Sequence, residues 1–201
     1  MTGDRPGDVF RQFRDHISRL LNLTVTDAPL SLTHRKDALF AQFAFRDQSE
    51  FPMAAPLFSG GLFLAVSQQL QVEPLPNRTW RLRTLEYSYH LLEGPSPDSR
   101  WIFRWEYVSR RRRHDEHPRH HVHVATVLDT PAGKLDLDRL HLSTGWVTIE
   151  EVIRFLITEV GVKTKAENWD EELMRSEGLF REWTGRSVQA SPPRITKSET
   201  I

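Results

Sequence analysis

Between Arg110 and His123 the chain reads RRRRHDEHPRHHVH, which gathers five arginines and five of the nine histidines into one stretch. Imidazoles change charge near neutral pH, and guanidinium groups bind phosphate in a bidentate fork. His121 and His123 stand two apart. On a strand both rings leave one face with Cα atoms roughly 6.5–7 Å apart, while Val122 and Val124 point into the core. Such a pair serves metal binding, acid–base chemistry at phosphate, or neither.

For metal binding, His121 and His123 would chelate with His117 or His141, but no HExxH pattern or cysteine pair completes a familiar ligand set. For acid–base chemistry, one imidazole accepts a 2′-hydroxyl proton and the other protonates the leaving oxygen, with no metal needed. Arginines alongside would hold the phosphate and stabilise charge on its oxygens. The plain reading is a solvated loop, since charge runs are usually surface. Arg110, Arg111, Arg112 and Arg113, with Arg119, could also position nucleic acid without chemistry.

The elements around this stretch follow from periodicity. Val9, Phe13, Ile17 and Leu20/Leu21 make an amphipathic helix of residues 8–22. LTVTDAPLSL and ALFAQFAFRD read as two short strands, and a helix is expected from about Gly61 to Leu70. Pro74, Pro76 and Asn77 interrupt the pattern, dividing an N-terminal segment (1–78) from the rest of the chain, as a second layer or a separate domain. Next come two alternating runs joined by GPSPDS, a β-hairpin that puts Trp101, Phe103, Trp105 and Tyr107 on one face. Arg104 and Glu106 lie on the other. A third strand is expected from His120 to about Leu128, then a turn at DTPAGK and a strand ending near Ser143.

Thr148 and Glu151 form a capping box ahead of an apolar stripe, with Gly161 at the helix stop. A last helix spans about Trp169 to Trp183, with Trp169, Leu173 and Phe180 facing inward. The tail from Ser187 lacks periodicity and is expected to be disordered. The class is α+β: an antiparallel sheet with helices on one face and an N-terminal helix/strand extension, the second unit spanning 79–185 and the tail 186–201.

Composition narrows the function. The formal net charge is zero, so the excess of positive charge in residues 110–123 is local and suits a confined anionic partner. The chain has no cysteine, which excludes disulfides and thiolate metal sites and fits a reducing compartment. The N-terminal MTGDRPGDVFRQFRDH has no apolar signal-peptide stretch, and no run reaches transmembrane length. A cytoplasmic protein without membrane contact is expected.

The order EYSYHLLEG, WIFRWEY, HPRHHVHV and VTIEEVIRFLI resembles the TumE-like toxins of prokaryotic toxin–antitoxin modules. The resemblance covers about residues 81–160. Arg104, Trp105 and Glu106 match its Arg-Trp/Tyr-Asp element, with Glu replacing Asp. His120, His121 and His123 match its histidine motif, and the Arg run stands where the family has Asn-Ala-Pro. The first 78 residues look like an addition. The resemblance implies a growth-inhibiting protein that acts on RNA and is neutralised by a cognate antitoxin.

Together these readings give a cofactor-free ribonuclease in which His121 and His123, with His120, are the acid–base candidates. Arg104 orients phosphate and Glu106 sets an imidazole tautomer or its pKa. The alternatives are a non-catalytic component of a toxin–antitoxin or phage-defence system that docks nucleic acid or a partner protein, and a metal-dependent hydrolase.

Overall fold

A computed structural model describes residues 1, 3–34, 38–77, 79–109, 117–131 and 133–185. The arginine run Arg110–Arg113 and the tail from Ser187 lie outside the described residues.

Helix α1 (Pro6–Thr24) opens with proline in its first position, where no intrahelical N–H is needed. The Asp8 carboxylate accepts the Arg5 backbone N–H at 3.1 Å. Its apolar stripe, Val9, Phe10, Phe13, Ile17, Leu20 and Leu21, is buried.

Among the described residues ten strands follow: β1 (Leu30–Thr33), β2 (Phe40–Phe45), β3 (Ala55–Pro56), β4 (Phe63–Leu75), β5 (Thr79–Leu92), β6 (Trp101–Val108), β7 (His120–Val124), β8 (Val127–Thr130), β9 (Gly133–Asp136) and β10 (Leu142–Ser143). A 3₁₀ turn, Leu137–Arg139, separates β9 from β10. The main antiparallel sheet runs β1-β2-β4-β5-β6-β7-β10, with β3 added to β4. Strands β8 and β9 form a separate ribbon.

Helices α2 (Ile149–Thr158) and α3 (Trp169–Thr184) close the chain. The expected capping box is present: Thr148 Oγ1 accepts from Glu151 N–H at 3.2 Å, and Glu151 Oε2 accepts from Thr148 N–H at 2.8 Å. Gly161 takes φ +80° just beyond α2. All three helices lie on one face of the sheet. Phe13 meets Phe43 and Phe180 with ring centres 5.1 and 6.3 Å apart, and Phe155 meets Phe103 and Trp105 at 5.0 and 5.4 Å.

The segment expected to be a helix from Gly61 to Leu70 is strand β4. Leu64, Val66, Gln68, Leu70 and Val72 are buried in strict alternation. The short apolar run fits either period, and pairing with β2 on one side and β5 on the other decides it. Gly60 and Gly61, at φ +74° and +75°, make the turn into β4 and do not start a helix. Pro76 and Asn77 lie in the turn of the β4–β5 hairpin, so the strands on either side of this interruption pair in one sheet. Asn77 takes φ +60° there.

Two irregularities control which side chains face which way. Gln69 pairs with Glu86 but Leu70 pairs with Thr84, so Leu85 is an extra residue, a bulge. Leu82 and Thr84 before it, and Tyr87, Tyr89 and Leu91 after it, all face the helices despite opposite sequence parity. On β6, Leu91 pairs with Phe103 but Leu92 pairs with Trp101, leaving Ile102 as the extra residue. Ile102 packs against the core. Trp101 therefore leaves the aromatic face it was expected to share with Phe103, Trp105 and Tyr107.

The third strand also ends earlier than expected, at Val124. After Ala125 and Thr126 the chain turns away, and Val127 and Leu128, both exposed, join the β8–β9 ribbon. No helix among the described residues is long and apolar enough to cross a membrane.

Candidate active-site cleft

The face of the sheet away from the helices carries the polar residues. Cross-strand pairing sets them in two rows. Ser67 on β4 lies beside Ser88 on β5, then Glu106 on β6, then His121 on β7. One step along, His90 lies beside Arg104, which lies beside His123. Alternation alone puts His121, His123, Arg104 and Glu106 on one side. The antiparallel register makes them neighbours.

All of these except His90 line a cleft of about 380 Å³. Asp138 of the 3₁₀ turn lies against His123, and Pro118 and Arg119 line the cleft. His121 Nδ1 is 2.9 Å from the Pro118 carbonyl, and His123 Nδ1 is 3.1 Å from the Asp138 carbonyl. A carbonyl only accepts, so both Nδ1 atoms carry hydrogen, and both Nε2 atoms turn toward Glu106. Those backbone carbonyls are the partners of the two Nδ1 atoms, and Glu106 stands at the other nitrogen of each ring.

Glu106 Oε2 lies 3.4 Å from His121 Nε2, 3.7 Å from His123 Nε2 and 3.2 Å from Arg104 Nε. The Arg104 guanidinium sits 5.0 Å from the centre of the Trp101 ring, which also makes a T-shaped contact with His123 at 6.0 Å. One carboxylate oxygen thus faces two imidazole nitrogens and a guanidinium. A proton on either imidazole gives the carboxylate a charge-assisted partner.

Burial separates the two histidines. His121 is 8% exposed at the wall of the cleft, whereas His123 is 2% exposed. Burial pushes the His123 pKa below its ordinary value, and its bond to the Asp138 carbonyl opposes that shift. His141, just before β10, is also pushed down, by burial and then by His117, His123 and His121.

The sequence candidates divide accordingly. Arg104, Glu106, His121, His123, Arg119, His117 and His141 meet at the cleft. His120 does not: it starts β7 with the opposite parity and stacks on Tyr107 at 4.3 Å on the core side, next to Trp146 at 5.3 Å. Of the four candidate metal ligands, His121, His123 and His141 place their ligand atoms within 4.8 Å of one another. His117 stacks on His141 at 3.6 Å instead.

Several residues in or beside the cleft escaped the sequence reading. Ser67 lay in the segment read as a helix. Trp101 reaches Arg104 and His123 only through the bulge at Ile102. Ser88 and His90 were legible by alternation, two residues apart opposite the tyrosines, but carried no separate signal. His90 Nε2 lies 2.6 Å from Ser88 Oγ. Burial lowers the His90 pKa to about 4, Glu106 opposes this, and Arg104 and His123 add to it.

The family model described as Toxin TumE covers residues 37–160, more than half of the chain. The match begins well upstream of the resemblance noted at residue 81 and takes in β2, β3 and β4. Residues 37–78 are therefore part of the family's own region and no addition to it. No curated protein and no solved structure matches the chain.

Proposed function

Because this chain belongs to the TumE toxin family, we propose that it acts as a toxin by cleaving RNA in the cleft built on β5, β6 and β7. The observation that carries this reading is the convergence of His121 Nε2 and His123 Nε2 on one Glu106 oxygen, beside Arg104. Within that cluster are a proton acceptor, a proton donor and a fixed cation, the parts that phosphodiester transfer to a 2′-hydroxyl requires.

In the reaction, an unprotonated imidazole or the Glu106 carboxylate takes the proton from a 2′-hydroxyl. The 2′-oxygen bonds to phosphorus and the P–O5′ bond breaks. A protonated imidazole gives its proton to the departing 5′-oxygen, leaving a 2′,3′-cyclic phosphate. His121, at the wall of the cleft, meets the substrate. His123, deeper, shares the proton through the same carboxylate. Arg104, held by Trp101, binds the non-bridging phosphate oxygens, and Arg119 extends the positive surface beside the cleft. The partner that neutralises such a toxin is an antitoxin protein.

The test is cleavage of a mixed RNA pool in EDTA by the intact chain. Cyclic-phosphate ends are expected, with the rate reduced at least about 100-fold in His121→Ala. Equal cleavage by wild type and variant, or cleavage by neither, refutes the reading. Salt-sensitive RNA binding that survives His121→Ala without any cleavage would instead mark a docking protein.

A further inference from the structure

We propose that His121, His123 and His141 form a site for one late first-row divalent cation of the zinc class. Occupancy of that site would switch the acid–base cluster off. The proposal rests on the nuclease reading only for this second part.

Three observations carry the site. The ligand atoms of the three imidazoles lie within 4.8 Å of one another. Tetrahedral zinc asks for nitrogen atoms roughly 3.3 Å apart, from bonds of about 2.0–2.1 Å. His141, the least buried of the three, can close the difference by turning about its side-chain bonds. Its neighbour Leu142 pairs with Val122, so the backbone holds His141 next to the β7 histidines.

Second, the carbonyls of Pro118 and Asp138 already occupy both Nδ1 atoms. A metal-binding histidine needs this arrangement, because the outer hydrogen bond fixes the ring and directs the Nε2 lone pair inward. Third, His123 Nε2 is buried without a hydrogen-bond partner. It faces a carboxylate oxygen at 3.7 Å, and two lone-pair-bearing atoms in that relation attract a cation between them.

The ligand set selects the metal. Imidazole nitrogen suits Zn²⁺, Ni²⁺, Co²⁺ and Cu²⁺, whereas Mg²⁺ and Ca²⁺ require oxygen ligands. Glu106 is the available fourth ligand, at the cost of its ion pair with Arg104. A cation on Nε2 of His121 and His123 consumes the lone pairs that would otherwise accept and return a proton. Metal-bound protein is therefore expected to be the inactive form.

The experiment uses tag-free, full-length protein stripped with EDTA and freed of it. Co²⁺ is titrated while its visible d–d absorption is followed, and Zn²⁺ is then added to displace it. One equivalent is expected, with a zinc dissociation constant below about 1 μM. His141→Ala, whose partly exposed side chain is not needed for the core, should remain folded by circular dichroism and bind at least about tenfold more weakly. His34→Ala, just after β1 where the ring packs against Phe10 of α1, should bind like wild type. Substoichiometric binding, or equal affinity in His141→Ala and wild type, overturns the site. One equivalent of Zn²⁺ should suppress RNA cleavage at least about tenfold, and less in His141→Ala. Undiminished cleavage overturns the switch. Metal-free protein that cuts no RNA refutes the nuclease reading, while the titration still decides the site.

Discussion

Ser176 on α3 offers a sharp test of how the helical layer is held. Its Oγ donates to Glu150 Oε1 at 2.6 Å and lies 2.8 Å from His16 Nε2. One hydroxyl thus ties α1, α2 and α3 together at a site where Ser176 and Glu150 are each 1% exposed. In Ser176→Ala the two neighbours respond differently. His16 borders a surface cleft of about 220 Å³, where water can replace the lost partner. Glu150, 1% exposed, keeps its Thr148 and backbone donors but loses that of Ser176, and a buried acceptor that loses a donor costs about 1–3 kcal/mol. The expected loss is about 2 kcal/mol, a shift of the urea midpoint of roughly 1 M at a slope near 2 kcal/mol/M.

The pH dependence follows from the same geometry. Burial raises the Glu150 pKa, and the Ser176 hydrogen bond opposes that rise. A carboxyl raised in the folded state contributes most below the ordinary carboxylate range, and its contribution falls as pH rises through the folded value. Removing Ser176 raises Glu150 further, so the decline continues to higher pH. The gap between wild type and variant should therefore be wider at pH 8 than at pH 5. Urea unfolding followed by circular dichroism at both pH values measures it. A loss below about 0.5 kcal/mol at pH 8, or a gap that narrows with rising pH, refutes the reasoning.

Other perturbations probe the remaining elements. His16 is lowered mainly by burial, with Arg175 and Arg19 adding to the effect and Glu172 opposing it. Its contribution to stability is complete above the ordinary histidine value and is lost as pH falls through the folded one, so His16→Gln should flatten the fall in stability below the ordinary histidine value in urea titrations. Trp101→Ala removes the ring that holds Arg104. It should lower RNA cleavage about 2- to 30-fold, the equivalent of a 0.5–2 kcal/mol cation–π contact, with an unchanged unfolding midpoint. Gly161→Ala places a Cβ at φ +80° and should lower the melting temperature by roughly 2–8 °C, from a strain of about 1–2 kcal/mol. Deleting Leu85 removes the β5 bulge and turns Leu82 and Thr84 away from the core or displaces the tyrosines. A cost of about 4 kcal/mol or more should appear as a lost or greatly weakened cooperative transition in urea.

Local chemistry was enough to identify several parts of this protein. The 3.6-residue stripes of α1 and α2, the Thr148–Glu151 cap and the Gly161 stop each depend on side chains within a turn or two of one another. The same holds for His121 and His123, whose common face follows from strand alternation and whose separation from His120 follows from the same rule. The α+β class and the side of β6 that carries Arg104 and Glu106 were legible for this reason.

The pairing of strands across the sheet was not legible, because it joins residues far apart in the chain. Strand β4 has an apolar run that suits either a helix or a strand, and only its neighbours β2 and β5 select the strand. The bulges at Leu85 and Ile102 shift parity without any distinctive residue, yet they keep Leu82 with Tyr87 in the core and bring Trp101 to Arg104. His141 approaches His123 through the β7–β10 pairing and the 3₁₀ turn against His123. The amino-acid sequence by itself determined which side chains could react and which face of their own strand they occupy. The tertiary structure decided which of them meet, since hydrogen-bond register sets those distances and register is a property of two strands together.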